Sequence, residues 1–180
     1  MESDIGGPGA WPPVTQRDFS PRESTAVGLL IARRFLLDAR LNDEDQGLVF
    51  AGLELAWRWV EGREVSPIHL CEYIDGEINL PFRSTLYAEG SVASHAMAAV
   101  FLSMGLAALY ACKEAGVSPS ESVENFGSNE LDVLNGLSSL LGSEDQERIS
   151  RVRHILAVGA GDKHGAFGGP IRQADVDDTR

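Results

Sequence analysis

Residues 91–112, SVASHAMAAVFLSMGLAALYAC, contain no Asp, Glu, Lys or Arg. A stretch of this length and polarity has two outlets, a bilayer or the centre of a helical bundle. It is rich in Ala and Ser, carries His95 and Gly105, and is bracketed by the acids Glu89 and Glu114. Lys113 is its sole immediate positive flank. These features favour a buried helix over a membrane span. Every other segment then has to be explained as something that packs around it.

The flanking segments read as amphipathic helices with start signals. Ser20-Pro21-Arg22-Glu23 is a capping box with Pro at the first helical position, opening a helix to about Leu41. Val27, Leu30, Ile31, Leu37 and Leu41 recur along it at helical spacing. Asn42 caps the next helix, and Asp43, Glu44 and Asp45 fill its first turn, where the macrodipole favours acids. Val49, Leu53, Ala56, Trp57 and Val60 form its inner stripe, and Gly62 ends it. Ser66-Pro67 opens a third helix, closed by the Asp75-Gly76 turn. A longer connection runs over 75–90, before the charge-free helix that ends at Gly116.

Ser118-Pro119-Ser120-Glu121 reads as a second capping box, leading a short helix through Phe126. Another helix spans about 129–141, and Ser143 with Gln146 caps the last one, striped by Ile149, Val152, Ile155 and Leu156. No segment alternates at period two, so the expected fold is all-α, a single-domain antiparallel helical bundle of six to seven helices. The helical domain is placed at 20–158, between a flexible N-terminal segment at 1–19 and a disordered Gly-rich tail at 159–180.

The formal net charge of -12 speaks against nucleic-acid binding, which needs clustered Lys and Arg, and against docking on anionic lipid. It suits a basic protein partner, though acidity also simply keeps a protein soluble. MESDIGGPGAWPP at the N-terminus lacks a basic start and an apolar run, so no signal peptide is read there. The two cysteines, Cys71 and Cys112, sit in apolar helical patterns and imply no disulfide framework, so a cytoplasmic location is expected.

Signatures of catalysis are lacking. His69 and Glu72 lie three apart on one helix, a spacing that more often gives a surface hydrogen bond than an acid/base dyad. His95 reads as a histidine in or near the core, and a polar site around it is the enzymatic alternative. HExxH, paired CxxC and GxSxG patterns are absent, and the GAGDKHGAFGG run at 159–169 lacks the ending of a phosphate loop. The expectation is a non-enzyme without metal or cofactor.

Aromatic and acidic residues point instead to recognition. Trp57 and Trp59 are two residues apart, roughly 200° around a helix, so they cannot share a face. Trp57 continues the inner stripe. Trp59 either packs under the 75–90 connection or stands out as an aromatic anchor of the kind that dominates interfaces. Between residues 42 and 90 there are ten Asp/Glu against three Arg. Glu61, Glu64, Glu72, Asp75 and Glu77 gather around one corner and are not explained as caps. Trp59 with these five acids is therefore the candidate partner-binding set, a solvated face being the alternative.

The segment Leu53–Glu77 resembles the immunity-protein family numbered six of bacterial polymorphic toxin systems. The resemblance lies in Trp57, Trp59, Val60 and Glu61, then Arg63 and Glu64, then Leu70, Tyr73, Ile74 and Asp75. It implies an all-helical protein that binds a cognate toxin domain and neutralises it by occluding its active or substrate-binding surface. A helical adaptor or regulatory module without a toxin partner is the competing reading.

Overall fold

The computed structural model describes residues 19–159 and 167–177. Among them lie nine helices and no strand: α1 (Pro21–Asp38), α2 (Asp43–Val60), α3 (Pro67–Asp75), α4 (Leu80–Ser84), α5 (Val92–Ala115), α6 (Glu121–Glu124), α7 (Ser128–Ser138), α8 (Ser143–Gly159) and α9 (Gln173–Asp177). The all-α bundle is as expected. The count exceeds six to seven because α4 and α9 occupy segments read as a connection and a tail.

The charge-free stretch forms α5, the central helix, against which α1, α2, α3, α4, α6 and α7 all pack. Its middle is sealed, with Met97, Val100, Met104, Leu106 and Leu109 each at most 1% exposed. By length and composition α5 could cross a membrane, but 67% of its most apolar window is buried by the rest of the chain. Small residues let neighbours approach closely. A Cβ on Gly105 would stand 1.9 Å from the Phe126 ring, and one on Gly28 of α1 would stand 3.0 Å from Ser103 of α5.

The packing of α1 on α5 is the most extensive in the bundle. Its direction follows from its ends. Arg22, in the first turn of α1, meets Glu114 in the last turn of α5. Phe35, near the end of α1, lies 5.9 Å from the ring of His95 at the start of α5. The two helices are therefore antiparallel. Trp59 at the end of α2 also reaches Glu114, so α2 runs with α5 and against α1.

The caps explain where the helices begin. Ser20 and Glu23 close the box reciprocally, with Ser20 N–H donating to Glu23 at 2.6 Å and Glu23 N–H donating to Ser20 Oγ at 3.3 Å. Asn42 accepts from the N–H of Asp45 at 2.8 Å. The second Ser-Pro box is displaced from expectation: Ser120, rather than Ser118, caps α6, accepting from Val123 N–H. Gln146 does not complete a box with Ser143 but reaches back to the carbonyls of Ser139 and Leu141. Leu37, assigned to the inner stripe of α1, is 67% exposed because α1 ends at Asp38 as it leaves the bundle.

Part of the expected disordered tail is ordered. Residues 167–177 return to the body, where Arg22 N–H donates to Phe167 O and Ile171 N–H donates to Val60 O, both at 3.1 Å. Val176 is 2% exposed. Val176 in the core and Ile171 packed against it, together with these backbone bonds, override the Gly-rich composition. Residues 160–166 and 178–180, and the expected flexible segment up to residue 18, lie outside the described residues.

Candidate functional site

The acidic corner is built from the end of α2, the turn after it, and α3. Residue 62 adopts φ +72°, which Gly tolerates, and the chain reverses there into α3. α3 buries Leu70, Tyr73 and Ile74 and turns Ile68, His69, Glu72 and Asp75 outward. Ile68, Glu72 and Asp75 follow helical spacing, so they line one outer stripe. Glu64 before the helix and Glu77 after it are also exposed. The segment 64–82 contains four carboxylates and no Lys or Arg.

The six residues of the candidate set divide sharply. Glu64, Glu72, Asp75 and Glu77 face solvent, and none of them forms an ion pair among the described residues. Glu61 is different: its carboxylate accepts from Gln173 N–H at 3.2 Å and pairs with Arg63 at 3.0 Å. It holds the returning segment and is not free for a partner.

Trp59 is a correction. It is 3% exposed, so it cannot serve as an exposed anchor, and its cover is not the 75–90 connection. Its ring stacks on Tyr110 of α5, with centroids 6.4 Å apart and planes at 15°. The indole N–H donates to Glu114 at 2.8 Å, and the Arg22 guanidinium lies 5.1 Å over the ring. Arg22 donates to both oxygens of Glu114, at 2.8 and 2.9 Å, and to Gly168 O at 3.0 Å. Nη2 alone serves both Glu114 oxygens, while Nη1 serves Gly168 and Nε donates to Trp59 O at 3.3 Å, so three nitrogens of one plane reach three partners, which Lys could not reproduce. It locks α1, α2, α5 and the returning segment together beneath the corner. Beside it lies a shallow recess of about 310 Å³, reached by Glu64, Val65 and Pro67. Of its charged lining, Arg22 and Glu114 are engaged with each other and Arg63 with Glu61, which leaves Glu64.

With Trp59 inside, the apolar element of the corner passes to Ile68, 64% exposed on α3. Phe82 and Leu86, 64% and 59% exposed, follow on α4 and just after it. α4 lies within the expected 75–90 connection, and Asn79 and Pro81 are its start signals. Asn79 sits at φ 45° and accepts from Phe82 N–H at 3.2 Å.

Some acids elsewhere in the chain are paired with arginine. Asp45 is fully buried at the start of α2 and receives Arg83 Nη1 at 2.6 Å, Tyr87 Oη at 2.6 Å and Asn42 Nδ2 at 2.7 Å. Burial alone would raise its pKa. The hydrogen bonds from Tyr87, Arg83 and Asn42 outweigh that cost and hold the carboxyl below its ordinary 3.8. Arg83 extends to Glu44 at 2.8 Å. This network fixes the 75–90 connection onto α2 and presents no open position to a substrate.

The other chemical candidates remain isolated. His95 packs against Phe35, and His69 is exposed on α3. No group of three or more potential metal ligands gathers among the described residues. Every buried side-chain nitrogen or oxygen among them has a hydrogen-bond partner. Cys71 and Cys112 are free thiols brought within 3.7 Å of each other. No protein family, curated protein or solved structure matches the chain.

Proposed function

We propose that this protein binds and neutralises a cognate bacterial toxin domain by covering its active or substrate-binding surface, with the outer face of α3 and its flanks as the contact. The observation that carries the reading is the gathering of four exposed acids on one short stretch that holds no Lys or Arg. Glu44, Asp45, Glu61, Glu114, Asp145 and Glu147 are paired with arginines of the chain. Glu64, Glu72, Asp75 and Glu77 are exposed without such a partner on a stretch lacking Lys and Arg. An array of free carboxylates around Ile68 suits a basic cleft, where it stands in for the charges of the substrate and speeds encounter. The resemblance of residues 53–77 to immunity proteins supplies the toxin as the partner class. Occlusion requires no catalysis, cofactor or metal from this chain.

Co-purification with the C-terminal domain encoded immediately upstream, followed by titration calorimetry, tests the proposal. One-to-one binding that abolishes the toxin's activity is the expected result. A well-folded upstream domain that fails to bind would remove the toxin reading and leave the adaptor reading for the same face.

A further inference from the structure

The two thiols of the chain meet in space. Cys71 on α3 and Cys112 on α5 are 41 residues apart in sequence, yet their Sγ atoms are 3.7 Å apart. Cys112 is 1% exposed, whereas Cys71 is half-buried and can be reached from solvent. Both belong to well-packed helices, because α3 rests on α5 along its length. A disulfide has its sulfurs about 2.05 Å apart, so the pair needs a closure of about 1.6 Å.

We propose that Cys71 and Cys112 form an oxidation site, at which a low-molecular-weight disulfide such as glutathione disulfide converts the two thiols into a covalent tie between α3 and α5. Cys71 loses its proton to solvent, and its thiolate attacks one sulfur of the oxidant. One glutathione thiolate leaves, and a mixed disulfide remains on α3. Cys112 then loses its proton and attacks the Cys71 sulfur, expelling the second glutathione thiolate. Both glutathione thiolates take up protons from solvent. Two protein S–H bonds and the oxidant's S–S bond are exchanged for one protein S–S bond and two glutathione S–H bonds. The protein is oxidised by two electrons and glutathione disulfide is reduced by the same two.

The environment sets the pace of this step. Burial and the adjacent Cys112 push the Cys71 thiol up to about 12, so its thiolate is scarce near neutrality. The site ignores brief oxidation and responds to sustained exposure or rising pH. With no third cysteine in the chain, its products are few. The tie immobilises the helix that carries Glu72 and Asp75. The inference is independent of what binds there.

The test is incubation of the fully reduced full-length chain with glutathione disulfide over a series of mildly alkaline pH values. Samples are alkylated, weighed intact and mapped by peptide under non-reducing conditions. The expected product is a monomer lighter by two hydrogens, with the Cys71 and Cys112 peptides joined, and it reverts with dithiothreitol. Its rate of formation should rise by up to about tenfold per pH unit, tracking the thiolate fraction. A Cys112→Ser variant should stop at a glutathione adduct on Cys71. The proposal is overturned if the wild-type chain also stops at that adduct or links to a second chain. It is equally overturned if both thiols stay unreacted in the folded protein but react once it is denatured.

Discussion

Adding one methyl group at Gly105 tests the central packing of the bundle, because two opposing effects can be separated. In an exposed helix, Ala in place of Gly gains about 0.8–1 kcal/mol from backbone entropy. At position 105 the new Cβ would lie 1.9–2.3 Å from three atoms of the Phe126 ring. The ring has to retreat by about 1.5 Å to restore ordinary contact, which costs about 1–3 kcal/mol as overpacking. It also loses part of its edge contact with Phe101, whose centroid is now 5.2 Å away. Such aromatic pairs contribute about 0.5–1.5 kcal/mol. The net expectation for Gly105→Ala is a loss of about 1.5 kcal/mol, read as a lower urea midpoint and a Tm lowered by about 3–6 °C. The decisive comparison is with a Phe126→Ala background. With the ring removed only the helix preference remains, and Gly105→Ala should become stabilising by about 0.8 kcal/mol. A stabilising effect in the wild-type chain, or the same loss in both backgrounds, would refute the proposed contact.

Asp45→Asn should cost about 3 kcal/mol, since it leaves Arg83 and the two other donors facing a neutral amide. Because the folded Asp45 pKa is depressed, its stabilisation is complete above 3.8 and disappears as pH falls through the lower folded value. The wild-type advantage over the Asn variant should therefore shrink only in that acid window; parallel acid-denaturation curves would contradict the network. Arg22→Met should cost about 2 kcal/mol from lost charged hydrogen bonds. It should raise amide exchange at 167–177 and change Trp59 fluorescence, and unchanged exchange there would show that Arg22 does not hold the returning segment. Glu72→Lys with Asp75→Lys should weaken toxin binding at least tenfold by calorimetry while moving Tm by less than about 2 °C, as expected of exposed sites. Undiminished binding would detach the partner from α3.

Much of the bundle was legible because its signals are local. Ser20 and Asn42 announce their helices through the next three residues, and the charge-free run can be satisfied only by burial on many sides. α4 escaped because five residues are too few to display a helical period, although Asn79 and Pro81 marked its start. The returning segment escaped for a related reason: its few apolar residues are spread among glycines, and its hydrogen bonds through Gly168 and Gln173 go to residues more than a hundred positions earlier. The two-residue spacing of Trp57 and Trp59 sets them on opposed faces of α2. That both faces are covered depends on Tyr110 and Glu114, half a hundred residues away. The proximity of Cys71 to Cys112 has the same origin, since it exists only once α3 lies on α5. Four of the six candidate residues keep the exposure the sequence suggested, as they lie on the outer side of a short helix whose inner stripe was plain.

The order of synthesis gives the Arg22 clamp a temporal meaning. Arg22 leaves the ribosome well before the carbonyl of Gly168 that receives it, which is made 146 residues later. Until then the guanidinium and the main-chain N–H of Arg22 lack two of their final acceptors, and the beginning of α1 stays incompletely fastened. Contacts of such long sequence separation are entropically late to close and slow a chain's final folding step. A nascent chain halted short of Phe167 would hold its central helices together yet leave the start of α1 and the end of α2 loosely fastened, a state visible to a protease while translation is still under way.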